Sequence, residues 1–516
     1  MGSAGTGETA RADSWKGVNE YKKMGSEFED GEFEDDLVHY QQQLGRRKSS
    51  RKYVFACAVF VSLNIVVLGY DGGVMSGAII FIQEDLRITD VQIEVLVGSL
   101  SVISLISSIA GGRTSDIIGR KWTMAIAAVV FQVGVAVTTF ADSFRVLMIG
   151  RSPAGVGMGF GGMITALYIA EISPAISRGT LTSFPEIFGN LGILLGYISN
   201  YVFAGLSAHI NWRVMLGVGI LPSVFITFAL FVIPESPRWL VMQNRVEEAR
   251  LVLLKTHEDE REAEERLAEI QLAAGAGNNA RCGGKAVWRE LLCPSPLLRR
   301  MLICFQQITG IDAMVYYSPE IFKDAGMKGN SNLLAATVAV GVTKTVFILV
   351  AIFLIDKLGR KPLLYICTIG MTVCLFGVGV SLSLLKAGAP PLLAILSVCG
   401  NVAFFSVGIG PIAWVLPSEI YPLRYRAQAS ALGVACNRLC SGIISVSFLS
   451  VSRTITVAGT FFLFAVMSAA SVAFVYVLVP ETKGRSLEQI ESLFQNPSDW
   501  KGSHIEMEDV EHLVQK

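Results

Sequence analysis

An all-α membrane protein is the fold class this sequence predicts: twelve transmembrane helices in two six-helix bundles joined by a soluble helical linker. Three observations predict it. The composition is too apolar for water, twelve apolar stretches have membrane-spanning length, and three charged signatures each occur twice. Of 516 residues, 52% are hydrophobic and 17% charged, with a mean hydropathy of +0.51. Soluble domains carry about a quarter charged residues, so the surplus apolar surface calls for lipid. Basic and acidic residues number 43 each, which leaves no net field for a polyanion and no reason to expect nucleic acid as a partner. The nine cysteines fall mostly inside apolar stretches and lack the spacing of a metal site or a disulfide framework, so packing is their expected role.

From the N-terminus, residues 1–52 read as a disordered cytoplasmic tail, with an acidic block (EFEDGEFEDD, 27–36) before a basic one (RRKSSRK, 46–52). The apolar run that follows is too long for a cleaved leader and serves as the first span. A bilayer core takes about 20 apolar residues per helix. Stretches of that kind are 53–81, 93–112, 122–140, 145–169, 184–206 and 214–233, then 299–322, 333–355, 362–385, 391–416, 427–450 and 456–479. Within lipid the backbone must satisfy its own hydrogen bonds, so each stretch is read as helix and its glycines and prolines as kinks. Basic residues cluster after spans 2, 4, 8, 10 and 12, which places those loops and both termini in the cytoplasm. Residues 234–298, charged and rich in Ala and Glu with helical spacing, form a cytoplasmic linker between an N-terminal bundle (53–233) and a C-terminal one (299–479). A second cytoplasmic tail, 480–516, closes the chain.

The two halves repeat. GGRTSDIIGRK (111–121) is matched by IDKLGRK (355–361), so Asp116 and Arg120 recur as Asp356 and Arg360. LYIAEISPAISR (167–178) is matched by VLPSEIYPLRYR (415–426), so Glu171 and Arg178 recur as Glu419 and Arg426. PESPR (234–238) is matched by PETKGR (480–485). Three signatures at nearly one offset mean an internal duplication. Acidic and basic residues at these helix ends are suited to charge networks across neighbouring bundles, forming a cytoplasmic gate.

Taken together, these motifs resemble the sugar porter family of major facilitator transporters over residues 50–495, PESPRWL and PETKGRSLEQIE most of all. The resemblance implies two six-helix bundles with inverted repeats inside each, a midplane substrate site between them, and alternating access by rocking.

A charge at the bilayer centre costs at least ~2.5 kcal/mol on insertion scales, so ionisable residues inside spans are candidates for function. Four stand out: Asp71 in span 1, Arg151 in span 4, Asp312 in span 7 and Lys344 in span 8. A carboxylate in a low-dielectric cavity can be neutral in one state and ionised in another as a cation moves. Asp71 is therefore the expected proton site and Arg151 its partner, as GYDGGVMSG and Gly-Arg resemble proton-coupled sugar and polyol porters. Pro153, two residues beyond Arg151, is expected to bend span 4.

QQITGID (306–312) resembles the family's QQxxGIN, whose amides ring the sugar. Gln306 and Gln307 each supply donors and acceptors for a hydroxylated solute, although in a continuous helix they cannot share one face. Asp312 and Lys344 both stand where the family commonly has Asn, and are expected to face and neutralise each other. With Glu186 at a usual Gln position, this resembles the plant polyol and monosaccharide branch. The loop between spans 1 and 2 points the same way, since it lacks the cysteine of plant hexose symporters. Trp414 of GIGPIAW can stack on the CH face of the solute, Asn437 corresponds to a sugar-facing Asn of the family, and Tyr316 and Tyr317 are candidate outer-gate residues. GVGMGFGG (155–162) follows no strand and is a close-packing glycine row, not a phosphate loop.

The expected function is proton symport of a polyol or monosaccharide by a monomer, with the proton as coupling ion, no other cofactor and no metal. The plasma membrane is expected over the vacuolar one. Facilitated diffusion through the same fold and a nontransporting sensor are the alternatives. An enzyme is disfavoured, because no histidine lies in a span and no Walker pattern occurs.

Overall fold

A computed structural model of the chain describes residues 30–174, 181–224, 233–257, 259–280, 305–384, 391–413, 426–479 and 481, without the side chains of 30–49, 273–280, 356, 426–432 and 478. Among the described residues every regular element is a helix. Helices α1 (Asp30–Leu86), α2 (Asp90–Ile118), α3 (Arg120–Thr139), α4 (Phe144–Ile172), α5 (Phe184–Phe203) and α6 (Ala208–Val218) make up the first set. Three shorter helices of the linker follow: α7 (Pro237–Met242), α8 (Val246–Thr256) and α9 (Glu260–Ala280). The second set is α10 (Ile311–Asp324), α11 (Asn330–Leu358), α12 (Arg360–Leu384), α13 (Pro391–Val407), α14 (Arg426–Ile455) and α15 (Val457–Leu478). Among the described residues eight helices are long and apolar enough to cross a bilayer.

Helix α1 differs from the sequence expectation, because it begins at Asp30 and so makes 30–52 helical where a disordered tail was expected. No proline interrupts the stretch, and the linker supplies a support. The Ser50 hydroxyl, buried, donates to the carbonyl of His257 at the end of α8 (3.0 Å).

The sequence repeat appears as one construction built twice. Between α2 and α3 the chain turns at Gly119 (φ 99°), and between α11 and α12 at Gly359 (φ 96°), a conformation that L side chains resist. The new helix starts at once, with its first N–H groups exposed to a carboxylate. Glu235 of PESPR accepts from the N–H groups of Arg120 (2.9 Å) and Lys121 (3.2 Å), and Glu481 of PETKGR accepts from those of Arg360 (3.1 Å) and Lys361 (2.9 Å). An acid there satisfies orphan donors and complements the helix dipole. Burial pushes the Glu235 carboxyl up from its usual range, against the pull of the backbone donors from Ser236, Lys121 and Arg120. Gly119→Ala would add a Cβ 2.5 Å from Glu235 Oε2 as well as a strained φ. We expect it to cost about 1–3 kcal/mol, read as a lowered thermal midpoint of the purified protein, with Gly112→Ala, whose Cβ meets nothing nearer than 3.4 Å, as a tolerated control.

Helices α1 and α5 lie backbone to backbone. A Cβ on Gly69 would sit 2.1 Å from the Gly189 carbonyl oxygen and one on Gly192 2.1 Å from that of Val66, so only glycine admits this approach. The row at 155–162 packs as expected, with Gly159 against Ser107 of α2 and Gly157 against Phe131 of α3. The two sets meet where α2 packs on α14, α5 on α11 and α1 on α10. The end bearing the Gly119 and Gly359 turns and the linker is called the charged end below, and the other the far end.

Candidate functional site

Asp71 and Arg151 form a buried ion pair in the first set. Arg151 Nη1 donates to both carboxylate oxygens of Asp71 at 2.9 Å, and the residues are 4% and 2% exposed. Pro153 lies inside α4, which runs unbroken from Phe144 to Ile172, and the pair forms regardless of it. Arg151 Nε and Nη2 are buried without a hydrogen-bond partner among the described residues.

Across the centre, α10 supplies the polar groups, and here the backbone departs from expectation. Span 7 is not one helix. A helical stretch at 305–308 stops at Thr309, Gly310 takes a left-handed φ of 82°, and α10 starts anew at Ile311. Gln306 and Gln307 at the end of the first piece both reach Asn437 of α14. Asn437 Nδ2 donates to Gln306 Oε1 (2.9 Å), and Gln307 Nε2 donates to Asn437 Oδ1 (3.3 Å). Gln306 Nε2 also donates to the carbonyl of Gly410 (3.0 Å). Gln307 Oε1 is left buried and unpartnered among the described residues. Two adjacent amides, just before the break at Gly310, thus meet on one asparagine.

Asp312 follows the break, and the expected neutralising pair with Lys344 does not form as a contact among the described residues. Asp312 Oδ2 instead accepts from the Ser441 hydroxyl, which in turn lies 3.3 Å from the Ser101 hydroxyl of α2. Lys344 is 7% exposed, and its ammonium stands 5.8 Å from the centre of the Phe405 ring of α13, where a cation gains from the ring quadrupole. The carboxylates whose charges reach it are Glu186, then Asp312. Glu186 sits in the first turn of α5, with Asn190 donating to its carboxylate at 3.5 Å. Arg438 is a further cation within reach of Glu186. The centre therefore holds two acids and two bases balanced through space. On that balance, Lys344→Ala is expected to depress uptake more than the Asp312→Asn, Lys344→Asn double change; equal loss would rule the balance out.

Tyr316 bridges the two groups of charges. It is within electrostatic reach of Asp312 and Arg438 on one side and of Asp71 and Arg151 on the other, and a Cβ on Gly72 would lie 3.7 Å from its ring. Tyr317 is held inside the second set, donating to the Ser445 carbonyl (2.8 Å) and stacking on Phe448 with centroids 5.0 Å apart.

At the charged end, Arg120 donates to Glu171 from Nε (3.1 Å) and Nη2 (3.2 Å) and to Asp116 from Nη1 (3.0 Å). Ser236 Oγ adds a bond to Glu171 (2.5 Å). All these residues belong to the first set and its closing PESPR turn, so in this state the network ties helices of one bundle instead of linking the two. The reason is local: Gly119 turns α3 back so that its first residue faces α4. Arg178, Trp414 and Glu419 lie outside the described residues, as do the side chains of Asp356 and Arg426.

Sequence reasoning did not single out Ser441, Ser101 or Asn401. Asn401 is fully buried, donates to the Met314 sulfur (3.0 Å) and leaves Oδ1 unpartnered among the described residues. Its polar side chain in an apolar helix was the available signal.

Two helical sets with separate buried polar centres, among whose described helices eight are long and apolar enough to cross a bilayer, define a membrane protein of the major facilitator fold. The family model described as "Sugar (and other) transporter" matches residues 56–494, and the chain belongs to that family. It is similar to "Probable polyol transporter 4" of Arabidopsis thaliana, with 64% identity over 96% of this chain and 94% of the relative. "Polyol transporter 5" of the same plant is 47% identical over 86% of each. Among solved structures it resembles the proton:xylose symporter XylE bound to 6-bromo-6-deoxy-D-glucose, with a TM-score of 0.75 and 29% identity, covering 86% of this chain and all of that one. Inward-open XylE from E. coli gives a TM-score of 0.71 at 28% identity, over 86% of this chain and all of that one.

Proposed function

We propose that the chain carries a polyol or monosaccharide together with a proton by alternating access. One observation carries the reading: a buried carboxylate–guanidinium pair in one helical set, with Tyr316 of the other set within electrostatic reach both of that pair and of Asp312 and Arg438. The proton binds at Asp71 and cancels the charge that holds Arg151 Nη1. Arg151 is then drawn to other acceptors, which moves α4 against α1 and makes proton binding felt at the interface between the sets. The solute's hydroxyls bond to Gln307 Oε1 and its neighbours Gln306 and Asn437, while Glu186 accepts and Lys344 donates from opposite sets. A solute held by both sets favours their closure around it, so proton and solute bias one rocking step. Tyr317 serves this reading as an outer-gate element, and Trp414 of GIGPIAW is the residue proposed to stack on the CH face of the solute.

The names of the relatives and the symporter resemblance support a polyol or sugar as solute and a proton as coupling ion. The positive-inside pattern of Arg113, Lys121 and Lys357 at the charged end supports a cytoplasmic location for that end and for both termini. The Asp116, Arg120 and Glu171 cluster, with Asp356, Arg360, Glu419 and the basic Arg178 and Arg426, then forms the cytoplasmic gate. We assign the carrier to the plasma membrane as a functional monomer. Purified protein in liposomes, given labelled sorbitol against mannitol, xylitol, inositol, glucose and fructose, tests the solute class. Competition by polyols and monosaccharides is expected, and failure of all six to compete would reject it.

A further inference from the structure

We infer that Glu94 is a positioning residue of the transport cycle, a clasp that holds the two helical sets together at the far end. The inference rests on the alternating-access reading, with the far end facing outward. Glu94 lies in the apolar stretch IEVLVGSL of α2 and is 3% exposed, yet it belongs to neither the proton pair nor the amide cluster. A carboxylate so placed is costly unless its oxygens are bonded. Among the described residues both are bonded to Ser450 of α14: the backbone N–H donates to Oε1 at 2.6 Å and the hydroxyl to Oε2 at 2.5 Å.

Both donors therefore come from the opposite set. The sets cannot part at this end without stripping a buried carboxylate of its two partners together. One of those partners is a backbone N–H, which no side-chain change at Ser450 removes, so the clasp depends on the position of α14. The surrounding surface is built for close approach. One helical turn further along α2, a Cβ on Gly98 would fall 2.0 Å from Val446 Cγ2, and Val446 is itself one turn before Ser450. Deeper still, Ser101 meets Ser441. One turn outward from Glu94, Asp90 pairs with Arg453, but their side chains are 23% and 70% exposed, a setting in which an ion pair contributes little. Asp90 is thus a natural control, on the same interface with the same charge and nearer to water.

The test uses the full chain in lipid nanodiscs, with Ser101→Cys as a reporter of far-end opening and a membrane-impermeant maleimide as the probe. The chain without the reporter corrects for native cysteines. Glu94→Ala is expected to raise the labelling rate about tenfold, the effect of one tenfold step in the closed-to-open equilibrium. In liposomes it should lower kcat of net uptake while leaving KM from the far side unchanged or smaller. Glu94→Gln keeps an acceptor for the Ser450 N–H and should recover at least half of both effects, and Asp90→Asn should change neither. Labelling of Glu94→Ala at the parental rate, or equal effects from Asp90→Asn, would overturn the inference. Should Glu94→Ala fail to fold, the Glu94→Cys, Ser450→Cys pair replaces it. Its oxidation should arrest uptake and a reductant restore it, whereas undiminished uptake by the oxidised pair would overturn the clasp. Labelling needs neither solute nor proton, so a failure of the solute or coupling assignment leaves this readout standing.

Discussion

Asp71→Asn is expected to abolish uphill accumulation of solute while sparing downhill exchange. Asparagine keeps the shape of the side chain and one acceptor for Arg151 but cannot take up and release a proton. The buried guanidinium loses its counter-charge, and its Nε and Nη2 already lack partners among the described residues, so the helix arrangement of the protonated carrier becomes permanent. With one proton per solute, each pH unit of gradient supports about tenfold accumulation. In the variant the accumulation ratio should fall to about one at any gradient, with counterflow of labelled solute persisting. Accumulation that survives the substitution would show that the proton travels by another route.

Asn437→Ala is expected to produce the largest loss of solute affinity. This one side chain is bonded to both Gln306 and Gln307, and its removal leaves Gln306 Oε1 and Gln307 Nε2 without the partners they now have. An unsatisfied buried polar group costs about 1–3 kcal/mol, and a loss of about 2 kcal/mol in solute binding is roughly thirtyfold in affinity. Equilibrium binding of labelled solute to the purified carrier would measure it. Affinity within twofold of the parent would mean that the amide cluster braces helices without holding solute.

Much of the fold was legible because its causes are local in sequence. Length, apolarity and flanking charge mark each span, and the duplicated Asp-x-x-Gly-Arg-Lys and Pro-Glu signatures mark the two halves. The pairing of Asp71 with Arg151 could also be read, since a buried charge far from water demands an opposite one. What could not be read depends on backbone direction. A single left-handed glycine, Gly310, divides span 7, and no residue pattern distinguishes it from a glycine that only kinks a helix. Gln306 and Gln307, ahead of that break, share one asparagine, and Asp312, just past it, bonds to Ser441, which defeats the simple expectation of an Asp312–Lys344 contact. The bonding of the described part of the gate set was not legible for a related reason. Its charges were legible, but whether Arg120 reaches its own bundle or the next is decided by the turn at Gly119. Glu94 escaped notice because it stands near the start of a span, where a carboxylate ordinarily meets water, and only the approach of α14 buries it.

The account stands or falls on coupling between the proton at Asp71 and the solute held opposite it. The most direct measurement is labelled polyol uptake into liposomes containing the purified carrier, with and without an imposed inward proton gradient and then with a protonophore. The account predicts accumulation above the external concentration only while the gradient lasts, with collapse to equilibrium when the protonophore is added. Uptake with the same rate and the same final level under all three conditions, in correctly inserted protein, would contradict it.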